Sequence, residues 1–375
     1  MRLIQYRNAA EFSAAADKWD DLWTRSACAV PAVRSAIISD WLLQFSQPGK
    51  FKAFAVEDSE GRLLAALPLA ARKLGGVVEV AGLTSNPWAP CGDLLLDETT
   101  DTDAVLDLLA PCIHQAPGAL GWFDGVAIDT PRWVGFQNAL RRAGMSFDVR
   151  ESCLVGVVPV TGNWDAYRKT WSKNFRQVVG RRVRRFREDE NRTFRIQHSF
   201  SPAEVRPLLE RGFEVEDRCW KGEAGSSIVR SPGMAAYLIR QSEQLAAWGQ
   251  LTLAFLEEKG RPFAFELGWT AKGVHHPFKV AYDEEFKSCG PGQLLLHEVI
   301  EHFFHDDQVH AIDFTGPLQS YTDRWRPEPY RLGRIVVSPR QLLGKTMYFG
   351  YKHVWGSYRK FKNRNQVTVS EASSL

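Results

Sequence analysis

The chain is 375 residues long, with 44% hydrophobic residues, 24% charged residues and a formal net charge of +3. That length suits two domains with separate cores, and the composition is that of a folded globular protein. So small a net charge excludes a global field of the kind that drives polyanion binding.

The first stretch, MRLIQYRNAAEFSAAADKW, contains no apolar run of leader length. Apolar residues recur at helical spacing over Glu11–Trp23 and Ile37–Phe45. Residues 51–70, FKAFAVEDSEGRLLAALPLA, read as strand, acidic turn at Gly61, strand. The longest apolar run, Leu63–Ala71, is interrupted by Pro68 and is too short to cross a bilayer. VVEVAGLTS (77–85) is extended, a leucine-rich helical segment follows, and WFDGVAID (122–129) is a short strand with an aspartate. WSKNFRQVVGRRVRRFREDENR (171–192) is a basic helix with Phe175, Val178, Val179, Val183 and Phe186 on one face. Its arginines, 176, 181, 182, 184, 185 and 187, form either a solvated face paired with Glu188, Asp189 and Glu190 or a surface for an anion. SPAEVRPLLERGFEVEDRCW (201–220) opens with a Ser-Pro-x-Glu capping pattern, and a second Ser-Pro starts the helix in 231–248. LTLAFLEEKGRPFAFELGW (251–269) is again a hairpin, turning at Gly260, followed by the strand HHPFKVAYD (275–283). A leucine-rich helix and the strand HAIDFTGP (310–317) complete the series, and an aromatic, basic tail follows.

The two hairpin glycines lie 199 positions apart, and hairpin, strand, helix and strand with aspartate follow in the same order after each. This marks a duplication. The predicted class is α/β (α+β), a mixed β-sheet flanked by helices and used twice, with domains over 1–150 and 151–337. Residues 338–375 are expected to be a helical tail with a disordered end. The six cysteines form no C-x-x-C and no cluster, which argues against a zinc ribbon or disulfide framework and for a reducing, cytoplasmic setting.

At 287–292 the chain reads Lys-Ser-Cys-Gly-Pro-Gly, a K-x-x-G-x-G between a strand and a helix. Unpaired amides and the helix dipole make such a junction an anion site, and glycines let a ligand approach the backbone. In this order of elements the loop resembles that of the GCN5-related N-acetyltransferase (GNAT) superfamily. There, Q/R-x-x-G-x-G/A holds the pyrophosphate of acyl-coenzyme A. Lys287 stands here where Gln or Arg is usual, and Pro291 lacks a donor. C-W-K-G (219–222), Y-D-x-x-F (282–286) and I-D-F…Y…W (312–325) resemble the CelD-type acetyltransferases. That group is associated with polysaccharide production and is related to the tandem-GNAT, Fem-type aminoacyltransferases. The first half has no equivalent loop in TSNPWAPCGDLLLD (84–97).

The resemblance implies tandem GNAT-like domains, the first degenerate, with acyl-CoA (acetyl-CoA) held in the second by Lys287, Gly290, Gly292, Gln293 and Leu294. Glu266, a carboxylate inside an apolar strand, and Asp283, at a strand end, are the candidate bases, and Tyr321 the candidate acid for the leaving thiolate. Strict alternation places Ala264, Glu266 and Gly268 on one face and Phe263, Phe265 and Leu267 on the other. Trp220, Lys221, His275, Tyr282 and Asp313 are candidate contacts to the acceptor, a small molecule or glycan precursor. Thr322 follows Tyr321 where a lysine is common. Fem-type relatives leave open an aminoacyl-tRNA donor, and the two departures leave open a non-catalytic subunit. HEVIEHFFHDD (297–307) lacks H-E-x-x-H spacing and reads as a solvated helix face, so no metal is expected. Neither a G-x-S-x-G elbow nor a Walker loop is present.

Overall fold

A computed structural model describes residues 1–339 and 342–352. The chain forms two compact units. The first comprises Met1–Ala27, Ser46–Ser152 and the chain from Gly333 onward; the second comprises Cys28–Phe45 and Cys153–Leu332. Neither is one continuous stretch of sequence. The helix Ser35–Phe45 belongs to the second unit, where Asp40 pairs with Arg240 at 2.7 Å and Phe45 packs on Tyr237. Of the tail, Leu342–Gly350 is helical; the expected disordered end lies outside the described residues. Among the described residues no helix is long and apolar enough to cross a membrane.

In the first unit, β1 (Arg2–Tyr6), β2 (Phe51–Glu57), β3 (Leu63–Leu74), β4 (Val78–Gly82) and β6 (Gly121–Ala127) lie side by side in that order. The short β5 (Leu95–Leu96) pairs with β3. The steps are antiparallel up to β4, and β4 to β6 is parallel. Strand β7 (Ser146–Pro159) carries the chain from the first unit into the second. There, β8 (Arg192–Gln197), β9 (Leu251–Glu258), β10 (Arg261–Ala271), β11 (Val274–Tyr282) and β12 (Ala311–Pro317) repeat the order, again with one parallel step at its end. The end of β7 pairs with β12, and β13 (Glu328–Ser338) returns the chain to the first unit. The expected α/β class with a mixed sheet used twice is the observed architecture.

Apolar spacing decides what covers the second sheet. Phe175, Val179, Val183 and Phe186 of the basic helix Lys173–Arg187 join Leu294, Leu295, Val299, Ile300 and Phe303 of the helix Pro291–Phe303 in one core with Trp325. Val178, expected on that face, is only half-buried. The opposite face carries the helix Pro202–Asp217, which starts with the Ser201–Glu204 capping box and Pro202 in its first turn. Phe213 of that helix packs on Phe265.

Strict alternation fails at one point in β10. Its register against β9 shifts between Pro262 and Ala264. A bulge of this kind lets two successive residues share a face. Phe263 therefore joins Ala264 in the core beneath the basic helix, stacking on Phe286 with ring centroids 4.4 Å apart, while Phe265 faces the other way.

A β-carbon added at Gly212 would lie 2.3 Å from the Phe265 ring, whereas one at Gly180 would meet nothing within 4 Å. Gly212→Val is therefore expected to destabilise the protein by roughly 1–3 kcal/mol through overpacking. Gly180→Ala, in an open helix interior, is expected to be neutral or to stabilise by up to about 1 kcal/mol. Urea unfolding of both variants beside the parent is the check.

Candidate active site

The second sheet opens where its one parallel step ends. Strands β11 and β12 pair only at Val274↔Ala311 and His275↔Ile312. Beyond that point β10 and β11 shift register between Leu267 and Gly268, so that Phe278 is skipped. On the far side, β12 loses register with β7 between Asp313 and Pro317. Pro277–Val280 and Phe314 border the resulting opening, a cavity of about 680 Å³. Ligand clefts fall at about 300–1,000 Å³.

One wall is the glycine junction. Gly290 has φ +68° and caps the helix Pro291–Phe303. A β-carbon there would stand 2.6 Å from the Arg182 guanidinium, so the position needs glycine both for its backbone and for its space. Arg182 donates to the Gln293 side-chain oxygen, which fixes a cation beside the helix start. At Gly292 the nearest atoms are those of the Tyr282 ring, 3.7 Å from where a β-carbon would sit. Lys287 lies at the rim; its bond to Glu284, 3.2 Å away, raises its pKa and keeps it charged. Leu294 does not face the cavity. Its side chain is 1% exposed in the core, and only its amide takes part, donating to the Gly290 carbonyl.

Glu266 reaches the cavity from β10, on the face where alternation predicts it, and is 1% exposed. His275 is fully buried behind it, its Nε2 hydrogen-bonded to Glu266 Oε1 at 2.9 Å. The histidine thus meets the carboxylate and not the cavity. Gly268 makes room for this ring, since a β-carbon there would fall 2.6 Å from His275 Cε1. Trp220, 60% exposed, and Lys221, held by Glu216 at 2.7 Å, form the outer wall with Tyr282. Tyr321 is exposed on the opposite rim, in the turn Ser320–Asp323. The Thr322 hydroxyl closes that turn, accepting from the Gln319 amide at 2.9 Å.

Two candidate residues are engaged elsewhere. Asp283 accepts from Arg218 Nε at 2.6 Å, from Arg261 at 2.9 Å and from the Glu285 amide, so its carboxylate ties three segments together away from the cavity. Asp313 accepts from the Thr315 amide at 2.8 Å and the Tyr330 hydroxyl at 3.0 Å, holding the irregular stretch within β12 and tying it to β13; burial raises its pKa.

Sequence reasoning had Arg182 only as one member of an arginine run. Helical position was the available signal, because 182 and 293 lie on neighbouring faces of two packed helices. Beside it runs a groove of about 570 Å³ lined by Arg181, Arg182, Arg185, Arg192, Ser288 and Cys289, among others. The arginines do not pair with Glu188 and Glu190 as a solvated face would. Arg187 instead forks Glu298 and Glu301, and Asp189 pairs with Arg192. The helix face at 297–301 is likewise not solvated. His297 is 3% exposed against Trp164 and Trp171, and Glu298 is buried. His297, Glu298 and Glu301 bring ligand-type atoms within 4.8 Å of one another, and the Arg187 guanidinium already bridges both carboxylates.

Residues 173–325 match the family described as "Acetyltransferase (GNAT) domain". No curated protein matches the sequence. Among solved structures, the chain is similar to FemX over 90% of its own length and 97% of that chain, with a TM-score of 0.58 at 10% identity. It is similar to a protein of unknown function from Bacteroides thetaiotaomicron over 87% and 96%, with a TM-score of 0.55 at 13% identity. For L-PGS from Bacillus licheniformis the shares are 88% and 94%, with a TM-score of 0.52 at 14% identity. At such identities the likeness is one of fold. The domain matched over 173–325 therefore places a GNAT domain in the second unit, and the repeated sheet order and the whole-chain likeness to FemX show a tandem GNAT-like fold shared with that protein.

Proposed function

We propose that this chain moves an acyl group, acetyl in the first instance, from acyl-CoA to an amine or hydroxyl of a sugar or polysaccharide precursor in the cytoplasm. The observation that carries the reading is the convergence, in one cleft, of a glycine junction at a helix start with a buried carboxylate in a parted sheet. The residues present fit the coenzyme. Gly292 leaves the backbone open to a pyrophosphate, Gly290 makes room for the Arg182 guanidinium, which with Lys287 supplies positive charge, and the arginine groove beside them suits a nucleotide phosphate. The C-W-K-G stretch, which resembles CelD-type enzymes, supplies Trp220 and Lys221 to the acceptor side.

Bound acyl-CoA supplies an activated thioester; the rest is positioning and proton transfer by the chain. Parting β11 from β12 leaves backbone groups along Pro277–Val280 to orient the acyl carbonyl. Glu266 takes the proton of the attacking amine or hydroxyl, and Tyr321 returns one to the leaving sulfur. Trp220 and Tyr282 hold the acceptor between these groups. Asp283 braces the helix end at Arg218 and takes no proton.

A second reading, an aminoacyl-tRNA donor, is favoured by the four arginines of the groove and the fold shared with FemX. Turnover of acetyl-CoA that is insensitive to ribonuclease excludes it. A non-catalytic role is motivated by Lys287 and Thr322, and turnover that depends on Glu266 excludes that as well.

Isothermal titration is expected to detect acetyl-CoA binding to the parent chain and none to Gly292→Trp, whose indole fills the space before Tyr282. If the parent does not bind, the reading fails. With an amino-sugar acceptor, Glu266→Gln is expected to lower kcat about 100-fold, the scale of one general base, with little change in KM. Asp283→Asn is expected to cost roughly 1–3 kcal/mol of stability, by loss of bonds to charged groups, while the folded fraction keeps its kcat.

A further inference from the structure

Glu266 is the cavity end of a continuous polar chain that crosses three strands. Its Oε1 lies 2.9 Å from His275 Nε2, and His275 Nδ1 lies 2.9 Å from Thr270 Oγ1. Thr270 Oγ1 is 2.8 Å from Thr252 Oγ1, and Thr252 Oγ1 is 3.1 Å from His198 Nδ1. His198 Nε2 finally meets His302 Nε2 at 3.0 Å, the two rings stacked. His275 and Thr252 are fully buried and Glu266 nearly so; His198 and His302 are half-buried. A polar row inside a sheet is costly unless each member is bonded, and here each is. Space is reserved for it at Gly268, where any β-carbon would strike the His275 ring.

We infer that this row is a proton relay, through which Glu266 discharges the proton it takes in the cleft to solvent at His302. The inference rests on the reading of Glu266 as the base. When an acceptor fills the cleft, the open side of Glu266 is covered, and the row is its way out. Carboxyl, imidazole and hydroxyl each donate and accept, so the row has two ordered states. For export, the Glu266 carboxyl donates to His275 Nε2, His275 Nδ1–H to Thr270, Thr270 to Thr252, Thr252 to His198 Nδ1, and His198 Nε2–H to His302 Nε2. One proton passes along each bond in that direction, and His302 gives its Nδ1 proton to water. Glu266 returns to carboxylate, each group between keeps its proton count, and no electron pair leaves the chain. Once product has left and the cleft is open, the reverse passage along the same bonds returns one proton to Glu266, which yields it to solvent at the cleft, and the starting order is restored.

Burial keeps the two outer rings of the row, His198 and His302, neutral between passages. Burial first, then the neighbouring His302 and His275, lower the pKa of His198 to about 4, with Asp306 opposing them. Burial also lowers that of His302, with Asp306 opposing and His275 and His305 adding to the shift. Both rings are therefore uncharged at neutral pH, as a relay that accepts and donates requires.

The test is solvent exchange of the His275 ring proton in the full-length protein, followed by nitrogen-15 histidine NMR. The relay predicts exchange faster than that of the β11 backbone amides, which is limited by opening of the fold. Thr252→Val keeps the shape and removes the hydroxyl; it is expected to slow the ring exchange roughly tenfold or more, on the scale of a lost proton-transfer group. Thr252→Ser is expected to restore it, and Thr270→Val to repeat the loss. Ring exchange as slow as the amides, or unchanged in both valine variants, overturns the relay. Because no acyl donor is present, that result stands apart from acetyl-CoA binding and from the effect of Glu266→Gln, which decide the acyl-transfer reading alone.

Discussion

Two residue pairs, Val274↔Ala311 and His275↔Ile312, hold β11 and β12 in register, and the opening in the second sheet depends on where that pairing stops. Backbone amides and carbonyls in a folded interior must find partners. A sheet that parts midway must therefore offer its backbone to something else, and here it offers it to a cavity. The bulge that skips Phe278 and the break in β12 after Asp313 widen the gap from both sides. Had the pairing continued, Glu266 would face a closed wall, and the helix at Gly290 would start beside packed strands.

The basic helix turns out to be less a charged surface than a fastening for the helix that starts at Pro291. Arg187 grips Glu298 and Glu301 one turn apart, and Arg182 reaches Gln293 at the helix start. Between these polar ties lies the apolar seam of Phe175, Val179, Val183 and Phe186. Arg181, Arg185 and Arg192 are left lining a groove with the same junction at its edge. Fixing the first turn of a helix matters for anion binding, because its field falls off within that turn.

Much of the repeated order was legible in the sequence because hairpin glycines, alternation and capping residues are local signals. Gly61, Gly260, the Ser201–Glu204 box and the glycines at 290 and 292 all sit where those signals put them. Side-chain partners were not legible, because they are distant in sequence. The arginine nearest Asp283 along the chain is 22 residues away, and Gln293 is 111 residues from Arg182. Phe263 changes face through a bulge, which a period of two cannot register. Leu294 follows two glycine-junction residues in sequence yet turns inward, as the helical step of 3.6 residues requires. The placement of His275 depends on an absence, the missing β-carbon of Gly268 across the strand pair.

The two units borrow segments from each other's stretch of sequence. The helix Ser35–Phe45 completes the second, and residues from Gly333 onward complete the first. A ribosome therefore cannot release a finished first unit by the time residue 152 emerges, since part of its structure is about 180 residues away. Its loops close over long separations, which lowers folding rates. Cutting the gene at the centre would yield two fragments, each lacking a piece of itself. The second unit of such a protein is not a portable module, and its evolution is bound to that of the first.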